Sequence, residues 1–495
     1  MALLPPPVQD TGEVRAPEAR QDRPRQPVGV WLWPALATLA MTMYRIGRPQ
    51  MGGDELASWD IAGRTAEQLL GTVQRVDAVL GAYYFMLHAW MTVFGESATA
   101  VRMPSALAMI GAAVCVALTG QRLFGRRAGL AGGLLFAVIP AVSRFGHEAR
   151  PYALTLLAVS LATLMLLRAL DRPRSWWRWT GYALCVEFIG LMHLVALTAL
   201  LGHLLAAIFR GRQERRALWG FCIAAVTGVA CVVPVILLGR SQASRQLYWI
   251  AKPDGWGLVD IWPQIFASAL CAGAVIMLAA LAWRERNDTL LWCTALAVLP
   301  PLVIWVASHG QISYFYFRYM LFTLPAWAVL AGAGLAAAVR FKAALAAALA
   351  VLALLTLPVQ KAVRETFEHH LGLSMDFEGA ARAIRKYYAP GDAVVYDRME
   401  DSRGVSFYLP RELSMRDVFV ARSAAELHES DPVYCPRPAE CVGKEKRLWL
   451  VVRGGDPDPL QGLPGPQADA LRAHYTASGT ERMTGLTVAL LVRKD

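Results

Sequence analysis

"QRLFGRRAGLAGGLLFAVIPAVSRFGHEARPYAL" occupies residues 121–154. It opens on Arg122, Arg126 and Arg127, runs through a long apolar stretch, and ends on His147, Glu148 and Arg150 before the next apolar run begins. A basic end, a greasy middle able to cross about 30 Å of hydrocarbon, and a polar turn at the far end describe one passage through a bilayer. The rest of the chain repeats this pattern. Apolar runs recur between about residue 28 and about residue 360, and spans are expected at approximately 28–44, 99–120, 128–145, 152–168, 179–192, 194–209, 217–238, 259–283, 289–307, 319–339 and 343–360.

Composition agrees. The 495 residues are 56% hydrophobic and 18% charged, with a mean hydropathy of +0.37. Few charges with so much apolar residue exclude an ordinary soluble domain. The formal net charge of +11 would suggest nucleic acid or acidic lipid if the basic residues formed one patch. They are scattered between apolar runs instead, so no nucleic-acid partner is expected. The fold class is thus an all-α polytopic membrane protein of about 11 transmembrane helices. Residues 1–27, rich in Pro, Arg and acids, read as a disordered cytoplasmic tail.

Lys and Arg concentrate in "QRLFGRR", "RALDRPRSWWR", "RGRQERR", "WRER" and "RFK", short segments that alternate with longer loops. By the positive-inside rule these segments are cytoplasmic, with the N-terminus inside and residues 361–495 outside. The apolar but Tyr-, His- and Trp-containing stretch 77–95 would invert this bias if it crossed, so it is expected to lie along the membrane surface. The outer segment 361–495 has another texture. "FEGAARAIRKYYAPGDAVVYD" predicts an amphipathic helix, a turn and a buried strand, and "RLWLVVRG" and "LTVALLVRKD" predict two more strands. A small extracytoplasmic α/β domain follows. Within it, Cys435 and Cys441 in "YCPRPAEC" have no metal-ligand partners in sequence and fit a disulfide across a short loop, which needs an oxidising compartment.

Three outer features carry ionisable residues at span ends, where such residues are functional candidates. The first is "MGGDELASWD" (51–60), with Asp54 and Glu55 behind two glycines, in the loop 45–98 that also holds Asp77. The second is His147, Glu148 and Arg150. The third is "ISYFYFRYMLFTLP" (312–325), where Arg318 and Tyr319 begin a span among aromatics. Taken singly, these could be solvated acids and a snorkelling arginine. Taken together, acids can accept a proton from a hydroxyl and an arginine can hold a phosphate.

The chain resembles the GT-C membrane glycosyltransferases, in the group of protein O-mannosyltransferases, the lipid A aminoarabinose transferase and the RgtA/B/C/D-like enzymes. The resemblance rests on "GGDELASWDIA", on "VFGESATAVRMPSALA" with the stretch quoted at the outset, and on "FRYMLFTLPAWAVLAGAGL", in order over roughly residues 30–340. It implies an inverting transfer of a mannose- or arabinose-like sugar from a polyprenyl-phosphate donor to a glycan, lipid or protein acceptor of the envelope, at the outer face of the cytoplasmic membrane. It also implies that Asp54 is the catalytic acid of an Asp-Glu motif with Glu55, and that Glu148 is a second acid. Arg318 and Tyr319 match an Arg-Tyr pair that opens a late span. Where many members have a basic, Pro-rich element this chain has "VDAVLGAYY", so Asp77 and Tyr83 stand in its place. His147 and Arg150 flank the second acid, and Arg240, Arg245 and Lys252 in "GRSQASRQLYWIAKPDG" are further candidates for the donor phosphate. No cofactor is required by the pattern, although Asp54 and Glu148 could share a divalent metal. The rival readings are a transporter or flippase, and a scaffold displaying the C-terminal domain. The first would call for paired repeats and charged residues at mid-membrane, whereas the acids here gather at one surface and the spans, Glu187 apart, are nearly charge-free.

Overall fold

The computed structural model describes residues 28–284, 287–339, 341–367 and 375–494; the tail expected over 1–27 lies outside them. The described residues open with helix α1 (Gly29–Met43) and a first long loop built from α2 (Gly53–Ala62), α3 (Ala66–Arg75) and α4 (Gly81–Phe94). A helical bundle follows: α5 (Ala98–Phe124), α6 (Arg126–Val138), α7 (Pro140–Gly146), α8 (Tyr152–Asp171) and α9 (Trp176–Met192). It continues through α10 (Leu200–Gly211), α11 (Arg215–Gln246), α12 (Gly257–Ile265), α13 (Ala269–Leu281), α14 (Asp288–Ala307), α15 (Leu324–Ala338) and α16 (Lys342–Ala362).

Every expected span falls on a helix or a bent helix pair. Among the described residues, seven helices are long and apolar enough to cross a membrane, or nine if each bent pair is one crossing. The expectation of about 11 exceeds that number because α1 and α9 have only 15 and 17 residues. The bends have local causes. Between α6 and α7 the axis turns by 60° where Pro140 follows an extended Ile139, since proline offers no N–H to continue the helix. Between α12 and α13 it turns by 100°, with Ala267 at φ 55° and the Ser268 hydroxyl accepting from the Cys271 N–H to start α13 afresh. Close backbone contact helps to hold the bundle. A Cβ on Gly332 of α15 would stand 2.5 Å from the Gly132 nitrogen of α6, so these helices touch where only glycine fits.

Beyond the bundle, α17 (Phe377–Tyr387), β1 (Ala393–Tyr396), α18 (Met399–Tyr408), β2 (Val420–Arg422), β3 (Val433–Tyr434), β4 (Arg447–Arg453), β5 (Tyr475–Met483) and β6 (Leu486–Arg493) form an α/β layer. Its main sheet has the order β1-β4-β6-β5, with β1 and β4 parallel and the other pairs antiparallel. The helix and three strands expected from sequence are all present. Strand β5 is an addition: "YTASGTERM" is polar and almost wholly exposed, so nothing apolar alternates in it, and it is held as an edge by pairing with β6.

The packing crosses the expected domain boundary. Met51, Leu56 and Tyr84 of the first long loop share one hydrophobic core with Phe377, Val394 and Trp449 of the C-terminal layer. The first long loop and the C-terminal layer therefore stand on the same side of the bundle.

Candidate active site

Asp54 and Glu55 lie in the first turn of α2. Successive helical residues point about 100° apart, and the two acids part company accordingly. Glu55 turns inward. Its carboxylate accepts from Arg102 Nε at 2.8 Å and Nη2 at 2.7 Å, from the Gly52 N–H at 3.0 Å and from the Ala149 N–H at 2.9 Å. Arg102 is 1% exposed and also donates to the carbonyls of Ile46, Pro49 and Gln50 at 2.8–3.1 Å. With its lone pairs committed, Glu55 is a brace. It couples α2 to the turn that carries Glu148, whereas its neighbour Asp54 faces the cluster.

Asp54 turns toward Arg318, which donates from Nη1 to its Oδ2. Arg318 sits in a 3-10 turn, Phe317–Thr323, leading into α15, and its Nη1 is also 3.7 Å from Glu148 Oε1. Glu148 follows α7 in a turn held by the Ser105 hydroxyl, which donates to its carbonyl at 2.7 Å. Its carboxyl is buried, and Oε1 has no hydrogen-bond partner among the described residues. Burial pushes its pKa up to about 7, against the opposing pull of Arg318. Arg150 donates to the Ser58 hydroxyl at 3.2 Å and reaches the Asp54 carbonyl at 3.5 Å. Three distant segments thus bring Asp54, Glu148, Arg150 and Arg318 into one cluster.

Aromatic rings wall this cluster. The Arg318 guanidinium lies 4.8 Å from the Tyr316 ring centre and 5.6 Å from that of Tyr152, and Arg150 lies 5.9 Å from Tyr152. Tyr319 packs at 6.2 Å from Tyr152 and 4.7 Å from His193. From His193 the chain enters a 3-10 turn, Leu194–Ala199, which borders an apolar groove of about 730 Å³ lined by Leu194, Leu197, Leu201, Phe221, Val229 and Val303.

Several other candidates have partners of their own. His147 donates from Nε2 to the Thr42 carbonyl at 2.7 Å. Burial, with Arg102 and Arg364 nearby, pushes its pKa down to about 4, so it is a neutral tie between α7 and α1. Asp77 accepts from the Tyr84 hydroxyl at 3.1 Å and the Gln246 amide at 2.8 Å, joining the first long loop to the end of α11. Tyr83 is buried in the shared core. Arg240 and Lys252 are exposed, and Arg245 pairs with Glu429 at 3.0 Å. Cys435 and Cys441 are joined as a disulfide with Cα atoms 6.5 Å apart.

The donor set does not fit a divalent metal. Arg318, itself a cation, bridges Asp54 and Glu148, and among the described residues no three His, Cys, Asp or Glu side chains converge as ligands. Sequence reasoning missed Arg102, although an arginine in the apolar run "AVRMPSALA" carried the signal that a buried cation needs a partner. It also missed the C-terminal contacts to α2. The Tyr408 hydroxyl accepts from the Met51 N–H at 3.1 Å, and Arg403 donates to Asp60 at 3.2 Å.

Residues 81–238 match the family model of dolichyl-phosphate-mannose-protein mannosyltransferases. No curated protein matches the chain. Among solved structures, ArnT from Cupriavidus metallidurans in the apo state is similar over 94% of this chain and 98% of that one, at 13% identity and a TM-score of 0.63. The same protein bound to undecaprenyl phosphate matches over the same shares, at 12% identity and a TM-score of 0.60. The chain thus has the multi-pass membrane fold of these glycosyltransferases over nearly its whole length, and its residues 81–238 carry the match to the mannosyltransferase family model.

Proposed function

We propose that the chain is an inverting glycosyltransferase. It moves a mannose- or arabinose-like sugar from a polyprenyl-phosphate donor to a glycan, lipid or protein acceptor of the cell envelope. The observation that carries this reading is the convergence of Asp54, Glu148 and Arg318 on an aromatic wall that adjoins an apolar groove. A reaction joining a greasy phosphate ester to a polar hydroxyl needs a proton acceptor, a cation for the leaving phosphate and an apolar slot, side by side. The undecaprenyl phosphate bound by the structurally similar ArnT supports the same class of donor.

In this reading the polyprenyl chain lies in the groove beyond His193, and Arg318, aided by Arg150, holds the phosphate. Asp54 takes the proton of the acceptor hydroxyl. The freed oxygen attacks the anomeric carbon from the face opposite the phosphate, and the bond from that carbon to the phosphate oxygen breaks. Its electron pair leaves with the polyprenyl phosphate, whose added charge the guanidinium stabilises. Glu148 lies beside the same guanidinium and positions the acceptor.

The site is assigned to the outer face of the cytoplasmic membrane, with the N-terminus inside and the C-terminal layer outside. Support comes from the distribution of Lys and Arg, from the disulfide, and from the core shared by the outer loop and the C-terminal layer. A reporter active only outside, fused after residue 365, should be active, and one fused at residue 213 silent; the reverse pattern overturns the orientation.

The activity test uses a defined polyprenyl-phosphate sugar in nanodiscs. Asp54→Asn keeps the size of the side chain but cannot accept the proton, so transfer should fall by about 10²–10⁴-fold. A near-normal rate would refute the assignment.

A further inference from the structure

Arg318 is 7% exposed, whereas its partner Asp54 is 35% exposed. The more accessible carboxylate therefore occupies the guanidinium edge that an incoming anion would need. A carboxylate whose lone pair already receives a guanidinium N–H is also a poor acceptor for a hydroxyl proton. The resting arrangement thus holds both groups in a state unsuited to transfer. Arg318 need not leave its place for this to change. Its guanidinium rests against the rings of Tyr316 and Tyr152, and among the described residues its Nε and that of Arg150 have no hydrogen-bond partner although both atoms are buried. Donor capacity for a second anion is present beside the first.

We propose that the Asp54–Arg318 ion pair is a latch that the donor's phosphate opens, so that Arg318 serves Asp54 in the free enzyme and the phosphate in the loaded one. This rests on the reading of Arg318 as the phosphate-binding group and adds the order of events. The lipid-linked donor binds first and takes the guanidinium. Asp54, released at the start of α2, then accepts the acceptor's proton. An acceptor arriving first meets a neutralised carboxylate and is not activated, which guards the donor site against unproductive acceptor complexes. Phosphate suits the exchange because its oxygens can take two parallel N–H bonds from one guanidinium and further bonds from a neighbour.

The test is direct binding of farnesyl phosphate, a short polyprenyl monophosphate, to the full chain in nanodiscs by calorimetry. Removing the competing carboxylate by Asp54→Asn should tighten binding by about tenfold, within the usual range for coupled sites. Arg318→Gln should weaken it by at least about tenfold, and adding Asp54→Asn to Arg318→Gln should give no further gain. If Asp54→Asn binds no tighter than the unaltered protein while Arg318→Gln still weakens binding, the latch is wrong and the phosphate assignment stands. If Arg318→Gln binds as the unaltered protein does, the phosphate assignment itself falls. A second measurement needs no substitution. Saturating farnesyl phosphate should raise carbodiimide labelling of Asp54 several-fold by mass spectrometry, and an unchanged or lower level counts against the latch.

Discussion

Glu148 offers a test in which removing an acid should stabilise the protein. Its carboxyl is buried, and burial lifts its pKa from an ordinary 4.5 to about 7. Between those values the folded chain keeps a proton that the unfolded chain has lost. The folded state therefore binds more protons, and stability must fall as pH rises through this window. The difference between these two values corresponds to about 3.5 kcal/mol, absent below pH 4.5 and fully developed above pH 7. Glu148→Gln is neutral throughout and escapes the loss. At pH 5 variant and parent should melt nearly together, and at pH 8 the variant should melt several degrees higher. Asp401 and Asp417, whose pKa values burial raises to about 6, titrate equally in both proteins and cancel in the difference. Arg318→Gln provides the control, because it removes the main influence holding the Glu148 pKa down and should move the window to higher pH. The assay is melting in detergent by intrinsic fluorescence from pH 4.5 to 8.5. Parallel curves for Glu148→Gln and its parent would refute the argument.

Other outcomes follow from the braces around the site. Arg102→Met strands the Glu55 carboxylate in a dry interior and should cost about 3–5 kcal/mol, read as a large fall in melting temperature; a shift under one degree would show that Glu55 is not held as described. Tyr408→Phe removes a single acceptor from the Met51 N–H and should cost about 1–3 kcal/mol if that donor stays dry, with accelerated proteolysis near residue 51 as the readout. Cys435 and Cys441 should resist alkylation until reduced, their loop contributing about 2–3 kcal/mol in the chain-entropy view; free thiols in non-reduced protein would contradict the bond.

Much of the architecture was legible because lipid imposes long apolar runs that sequence cannot hide. Strands β4 and β6 were equally plain, being continuous apolar runs buried in the sheet. Strand β5 was not, since a polar edge strand owes its conformation to its neighbour. At the site, Asp54, Glu148, Arg150 and Arg318 could be picked out as ionisable residues at span ends. What their types could not reveal was which of two adjacent acids faces inward. That choice depends on Arg102, 47 residues away from Glu55, and on backbone N–H groups of another segment. Asp77 and His147 show a related limit: a polar residue at a loop end can also tie two elements together, and the sequence does not name its partners.

The core shared by the first long loop and the C-terminal layer has a consequence for biosynthesis. The loop bearing Asp54 emerges early from the ribosome, yet the apolar faces of Met51, Leu56 and Tyr84 find their partners only when Phe377, Val394 and Trp449 have followed. Until the last part of the chain has been made and has reached the same side of the bundle, α2 is a short helix without its cover, and the cluster around Arg318 lacks a fixed floor. Chains interrupted before residue 377 would insert into the bilayer without this cover, so that the cluster is completed late in translation rather than helix by helix.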